Sequence, residues 1–127
     1  MGDTIRVAVC DDARAVKFFL RTVLEEDGDM EVVSTSSGGQ EALAALAEHP
    51  TDILLLDLLL PDVPEPADLV GEIRERWPQT AILLMSNMPA SRLEKEAQRL
   101  GTDGWTVKAH KPERLRRSVR EIIAARA

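Results

Sequence analysis

The chain has 127 residues, 44% of them hydrophobic, and a formal net charge of −6. That is enough chain for one domain burying roughly two-thirds of its unfolded surface, and the acidity argues against general nucleic-acid or membrane binding. A single cysteine, Cys10, excludes an internal disulfide, the two histidines His49 and His110 make no Cys/His zinc site, and no apolar run approaches membrane-spanning length; the expectation is a cytoplasmic protein without membrane contact.

Ile5 to Cys10 is β-branched and mostly apolar and ends at Asp11-Asp12, which predicts a buried strand finishing in carboxylates. Val16, Phe19, Leu20, Val23 and Leu24 recur at helical spacing, with Gly28 as the stop. Met30 to Val33 reads as a short strand, Ser34 to Gly39 as a loop, and Ala42, Leu43 and Leu46 as one face of a helix ending before Pro50. Ile53 to Leu58 is apolar apart from Asp57, and the run closes at Pro61; it predicts a strand buried on both faces. An ionised carboxylate inside such a run is costly, so Asp57 belongs at the strand's end. Pro66 suits a first helical turn, and Leu69, Val70, Ile73 and Trp77 continue as a helix face until Pro78. Thr80 to Met85 is a fourth strand followed by Ser86-Asn87, Leu93, Ala97 and Leu100 mark a helix closed by Gly101, and Gly104 to Lys108 is a fifth strand. Leu115, Val119, Ile122 and Ile123 mark a last helix opened by Pro112. Five alternations of strand and helix predict an α/β fold, a parallel sheet with helices on both faces. No linker or repeat interrupts residues 1–127, so the expectation is a single domain.

Ligand sites in such sheets lie at the carboxyl ends of the strands. Asp11 and Asp12, Asp57, Ser86 and Lys108 fall at four of those five ends. Taken singly they read as helix caps, turn residues or a solvated lysine; their convergence on one rim is the signal. Two carboxylates about 5 Å apart repel by ~3 kcal/mol at an effective dielectric of ~20, so three of them call for a cation. Oxygen ligands suit Mg2+. A phosphoryl group on Asp57 would use the metal and Lys108 for charge compensation and the Ser86 hydroxyl as a donor.

The acidic pair Asp11-Asp12, the strand Asp52 to Asp57, Pro61, Ser86, Gly101 to Trp105, Lys108, and Pro112 to Leu115 together resemble the receiver domain of two-component response regulators. The resemblance covers the whole length. It implies a flavodoxin-like (βα)5 doubly wound parallel sheet with strand order 2-1-3-4-5. It implies Asp57 as the phosphoacceptor, taking a phosphoryl group from a sensor histidine kinase or phosphotransfer protein. Asp12, Asp57 and the backbone carbonyl of Leu59 would hold Mg2+, with Asp11 acting mostly through water, and Lys108 would grip the phosphoryl group. Ser86 and Trp105 would form the switch pair, repacking the surface of helix four, strand five and helix five that faces a downstream protein target or a second copy. The chain itself would bind no nucleic acid.

Departures from the family pattern bear on the site. Ala109 replaces the proline that follows the lysine in a cis peptide. A non-proline cis bond costs about 3–4 kcal/mol, leaving a strained loop or a trans loop with a displaced Lys108. Val63-Pro-Glu-Pro66 stands where the family has glycine, one residue longer, which leaves that loop's path open. Trp105 is bulkier than the more usual Tyr or Phe, so switching could be partial. Leu59 and Met88 flank the acceptor, either as ordinary loop apolars or as a shield against water.

Ser36-Ser-Gly-Gly39 lacks the lysine and spacing of a P-loop and reads as a loop-to-helix junction. Arg114, Arg116, Arg117 and Arg120 read as a solvated basic face or as pairs for acids on a dimer partner. Cys10 reads as an inert core residue. A phosphatase with Asp57 as turnover nucleophile would want a second acid two positions on, where Leu59 stands. A phosphorylation-independent pseudo-receiver is the alternative to the switch. Glu25 to Val33 resembles receivers that precede helix-turn-helix outputs, so a single-domain regulator and a piece of a DNA-binding regulator are both open.

Overall fold

The apolar runs of the sequence become the centre of one sheet. The computed structural model describes residues 3–108 and 111–126. Along it run β1 (Ile5–Cys10), α1 (Arg14–Glu25), β2 (Met30–Ser36), α2 (Gly39–Glu48), β3 (Ile53–Asp57), α3 (Pro66–Arg76), β4 (Ala81–Ser86), α4 (Ala90–Leu100), β5 (Gly104–Val107) and α5 (Pro112–Arg126). The strands form one sheet in the order β2-β1-β3-β4-β5, and every pairing is parallel. This is the expected flavodoxin-like (βα)5 doubly wound fold.

Side-chain alternation divides the core in two. Val7, Val9, Ile53, Leu55, Leu83 and Met85 meet Leu20, Val23 and Leu24 of α1 and Leu115 and Val119 of α5. Ala8, Cys10, Leu54, Leu56, Ile82 and Leu84 meet α2, α3 and α4 through residues such as Leu43, Ile73 and Leu93. The three central strands carry no polar face because both of their faces are covered.

Several expected boundaries move. β2 runs on to Ser36, its last three residues registered against Ala8, Val9 and Cys10 after an irregularity at Val7/Ala8. Pairing along β1 overrides the loop character of Ser34 to Ser36, so only Ser37 and Gly38 connect to α2. Trp77 is the C-cap of α3 rather than part of its helical face. Phe19, expected on the buried face of α1, is 48% exposed beside Phe18 at 74%. Pro66 and Pro112 open their helices as expected. Among the described residues, positive φ occurs only at Gly28 and Gly101, where α1 and α4 end. The loop Val63 to Pro66 therefore manages without the family's glycine: Val63 N–H donates to Leu60 O at 3.0 Å, and the Glu65 side chain caps α3 by accepting from Ala67 N–H.

Candidate functional site

β1, β3 and β5 end side by side with β4, and their carboxyl rim carries the charge. Asp57 is the last residue of β3, opposite Met85, and is only 6% exposed. Its Oδ1 accepts from Leu59 N–H at 3.1 Å, and its Oδ2 lies 3.3 Å from Lys108 Nζ. Asp11 follows β1 and is fully buried. Its Oδ1 accepts from Ala13 N–H at 2.8 Å, just ahead of α1. Its Oδ2 lies 2.5 Å from Lys108 Nζ. Asp12 is exposed, and Asp11, Asp12 and Asp57 each offer one carboxylate oxygen within 4.8 Å of the others.

Burial pushes the Asp57 carboxyl above its ordinary range, against the opposing pull of Leu59 N–H and Lys108. Burial also works against the Lys108 charge, but the contacts with Asp11 and Asp57 outweigh it and raise the ammonium. Three carboxylates against one ammonium leave an excess of negative charge. Asp11 Oδ2, although close to Lys108, has no aligned hydrogen-bond partner among the described residues. A buried carboxylate oxygen left in this state, inside an all-oxygen donor set, is what a hard divalent cation such as Mg2+ would satisfy, and the trio is geometrically capable of coordinating one.

Ser86 closes β4, and its Oγ accepts from Met88 N–H at 3.2 Å. Trp105 stands opposite Leu84 in the β4–β5 register. By the two-residue strand period, Ser86 shares Leu84's side of the sheet, the side covered by α2, α3 and α4. Asp57 shares the parity of Ile53 and Leu55, which face α1 and α5. Asp57 with Lys108, and Ser86 with Trp105, thus belong to opposite faces that meet at the rim. Trp105 is only partly buried against the α4 side of the core. Lys108 follows the end of β5, with its N–H donating to Ser86 O at 2.9 Å. The Lys108–Ala109 peptide, whose isomer the sequence left open, lies outside the described residues, as does His110.

Leu59 and Met88 separate. Leu59 is 68% exposed beside Asp57, whereas Met88 packs partly buried against the core. Arg114 and Arg117 are exposed, as a solvated basic face requires, but Arg116 and Arg120 correct that reading by pairing within the chain. Arg116 is buried, donates to Val23 O at 2.9 Å and pairs with Glu26 and Asp27, and Arg120 binds Asp27 and Asp29 at 2.7 Å each. Cys10 is fully buried, with its thiol pushed up to about 12 by burial, as suits an inert core residue. Sequence reasoning missed Asp62, which reaches from the loop after β3 to the start of α2. The signal was available: Ser-Gly-Gly opens that helix with no capping side chain of its own, so its first N–H groups need an acceptor from elsewhere.

A doubly wound sheet bearing an acidic trio and a lysine at its carboxyl rim defines the class of flavodoxin-like phosphoacceptor domains. The family model of the response regulator receiver domain matches residues 7–120, and the chain belongs to that family. The oxygen regulatory protein NreC of Staphylococcus haemolyticus is 29% identical over 118 residues, 93% of this chain and 54% of that protein; the chain spans about half the length of the curated relatives it matches. A two-component response regulator of the LuxR family from Aurantimonas sp. superposes with a TM-score of 0.86 at 26% identity, over 97% of this chain and 87% of that one. A chain of the crystal structure of the P1 domain of CheA3 in complex with CheY6 from R. sphaeroides superposes with a TM-score of 0.83 at 27% identity, over 97% and 99%. Family and acidic cluster together give a receiver-domain phosphoacceptor mechanism with divalent-metal chemistry, in which the domain accepts a phosphoryl group on itself rather than turning over a substrate. No helix among the described residues is long and apolar enough to cross a membrane.

Proposed function

We propose that Asp57 is the phosphoacceptor of a signalling switch. Its carboxylate oxygen attacks the phosphorus of a phosphohistidine on a kinase or phosphotransfer protein; the P–O bond forms as the P–N bond breaks, and the departing imidazole takes a proton. Asp12, Asp57 and the Leu59 carbonyl hold Mg2+, which supplies charge compensation for the phosphoryl oxygens. Asp11 acts through water and holds Lys108 beside the acceptor, so the ammonium is in place before the donor arrives. Ser86 then turns toward the phosphoryl group, and Trp105 moves into the space beside it, altering the α4–β5–α5 surface.

One observation carries this reading. Lys108 Nζ bridges Asp11 at 2.5 Å and Asp57 at 3.3 Å, within a cluster whose acidic oxygens have room for a cation. The pairing of a similar chain with the P1 domain of CheA3 supports a protein donor. The net charge of −6 supports a protein target or a second copy, rather than nucleic acid, at the switched surface. Mg2+ with beryllofluoride should change Trp105 fluorescence in a Trp77→Phe background, and Asp57→Asn should abolish the change. No response at millimolar Mg2+ would favour the pseudo-receiver.

A further inference from the structure

The loop that follows Asp57 is tied to the first turn of α2. Asp62 Oδ1 accepts from Gly39 N–H at 3.0 Å, and Oδ2 accepts more weakly from Gln40 N–H at 3.4 Å. These are the first free amides of α2, whose N-cap, Gly38, has no side chain to satisfy them. Both glycines make way for the loop. A Cβ at Gly38 would stand 2.8 Å from Asp62 Oδ2, and one at Gly39 would stand 2.6 Å from Val63 Cγ2. The φ of Gly38 is −161°, extended backbone open to any residue, so glycine is there for space. The α2 end of this contact is itself anchored, because Gly38 O accepts from the Cys10 thiol at 3.4 Å and Ser36 O accepts from Asp11 N–H at 3.0 Å.

The acceptor loop is thereby pinned along its length. Leu58 N–H donates to Met85 O at 2.9 Å and Val63 N–H to Leu60 O at 3.0 Å, Leu59 N–H donates to Asp57, and Asp62 fastens the far side. We propose that Asp62 is a positioning residue for the acceptor site: its bridge to the Gly39 and Gln40 amides fixes the path of residues 58–63 and so presents the Leu59 main chain for divalent-cation binding. This rests on the reading of Asp57 and Leu59 given above. It also adds to the Val63 and Glu65 contacts that let Val63 to Pro66 do without glycine, because the neighbouring Asp62 ties the loop to amides of α2.

The test is Mg2+ affinity by calorimetry, together with amide hydrogen exchange of the metal-free protein. Asp62→Ala should weaken Mg2+ binding about fivefold or more and speed exchange at Leu59 and Val63 as well as at Gly39. Asp62→Asn keeps an acceptor oxygen for Gly39 while losing the charge, and should stay within about twofold of wild type. Gly38→Ala should reproduce Asp62→Ala by pushing the carboxylate away, and should add nothing in the Asp62→Ala background. Wild-type affinity in Asp62→Ala, or an Asp62→Asn protein as weak as Asp62→Ala, overturns the proposal; the latter result would make Asp62 a remote charge. A wild type that binds no Mg2+ overturns the acceptor reading and this one with it, whereas binding lost in Asp57→Asn but kept in Asp62→Ala overturns this one alone.

Discussion

Asp57 sits at 6% exposure with one ammonium and one backbone amide as its close partners. Burial lifts its carboxyl above the ordinary range. Between the ordinary and the lifted range, the folded chain keeps a proton that the unfolded chain has already released. Stability therefore falls as pH rises through that interval, and at neutral pH the ionised side chain costs stability in the metal-free protein. Asp57→Asn removes the cost. The metal-free variant should melt a few degrees above wild type at pH 7, and the gap should narrow as pH falls toward the ordinary carboxylate range. Adding Mg2+ should narrow it from the other direction by stabilising the wild type. Thermal unfolding across pH, with and without the ion, reads both effects. A variant that melts at or below wild type at pH 7 without metal would mean that Lys108 fully offsets the burial.

At the scale of elements, charge does more joining than the composition suggests. α5 offers Arg116 and Arg120 to Glu26, Asp27 and Asp29 in the turn between α1 and β2. Hydrogen bonds from Arg120 hold Asp27 and Asp29 below their usual carboxylate range. A depressed folded value contributes stability above the ordinary range and loses it as pH falls through the lowered one. Arg120→Gln should therefore lower the melting temperature at pH 7 and low salt, by a few degrees at most because the groups are largely solvated. The deficit should shrink in acid and in about 1 M salt, where the screening length is about 3 Å; a deficit independent of both would indicate lost packing of the arginine stem. The strands and helices were legible because their buried faces repeat at two and 3.6 residues, and Pro66, Gly101 and Pro112 punctuate them where expected. This α5 clamp was not legible, because a run of arginines looks the same whether it meets water or an acidic turn 90 residues away. β2 was read too short for a related reason: Ser34 to Ser36 become strand only by pairing with Ala8 to Cys10.

Across the whole molecule, the rim and the α4–β5–α5 surface are joined through β4 and β5. The rim itself was legible, because four strand ends carry chemistry-bearing residues and the topology brings strand ends together. The assignment of Ser86 with Trp105 to one face and Asp57 with Lys108 to the other needed the register, where Trp105 meets Leu84 and Asp57 meets Met85. A phosphoryl group on one face can move the other only by biasing an equilibrium between two packings, and shifting it from 1:99 to 99:1 takes about 5.5 kcal/mol of preference. The indole of Trp105 is only partly buried against the core cluster that holds Leu84 and Leu93, so under the proposed switch the space beside Ser86 would have to accept a ring larger than phenyl. Overpacking of this kind costs about 1–3 kcal/mol, which on that reading would be subtracted from the preference that the phosphoryl group supplies. Trp105→Phe relieves it. With saturating beryllofluoride and Mg2+, Trp105→Phe should show larger amide shifts and stronger exchange protection in α4, β5 and α5 than wild type, while α2 should respond alike in both. Equal responses in α4–β5–α5 would mean that ring size does not limit the switch and that the partial exposure of Trp105 belongs to both of its states.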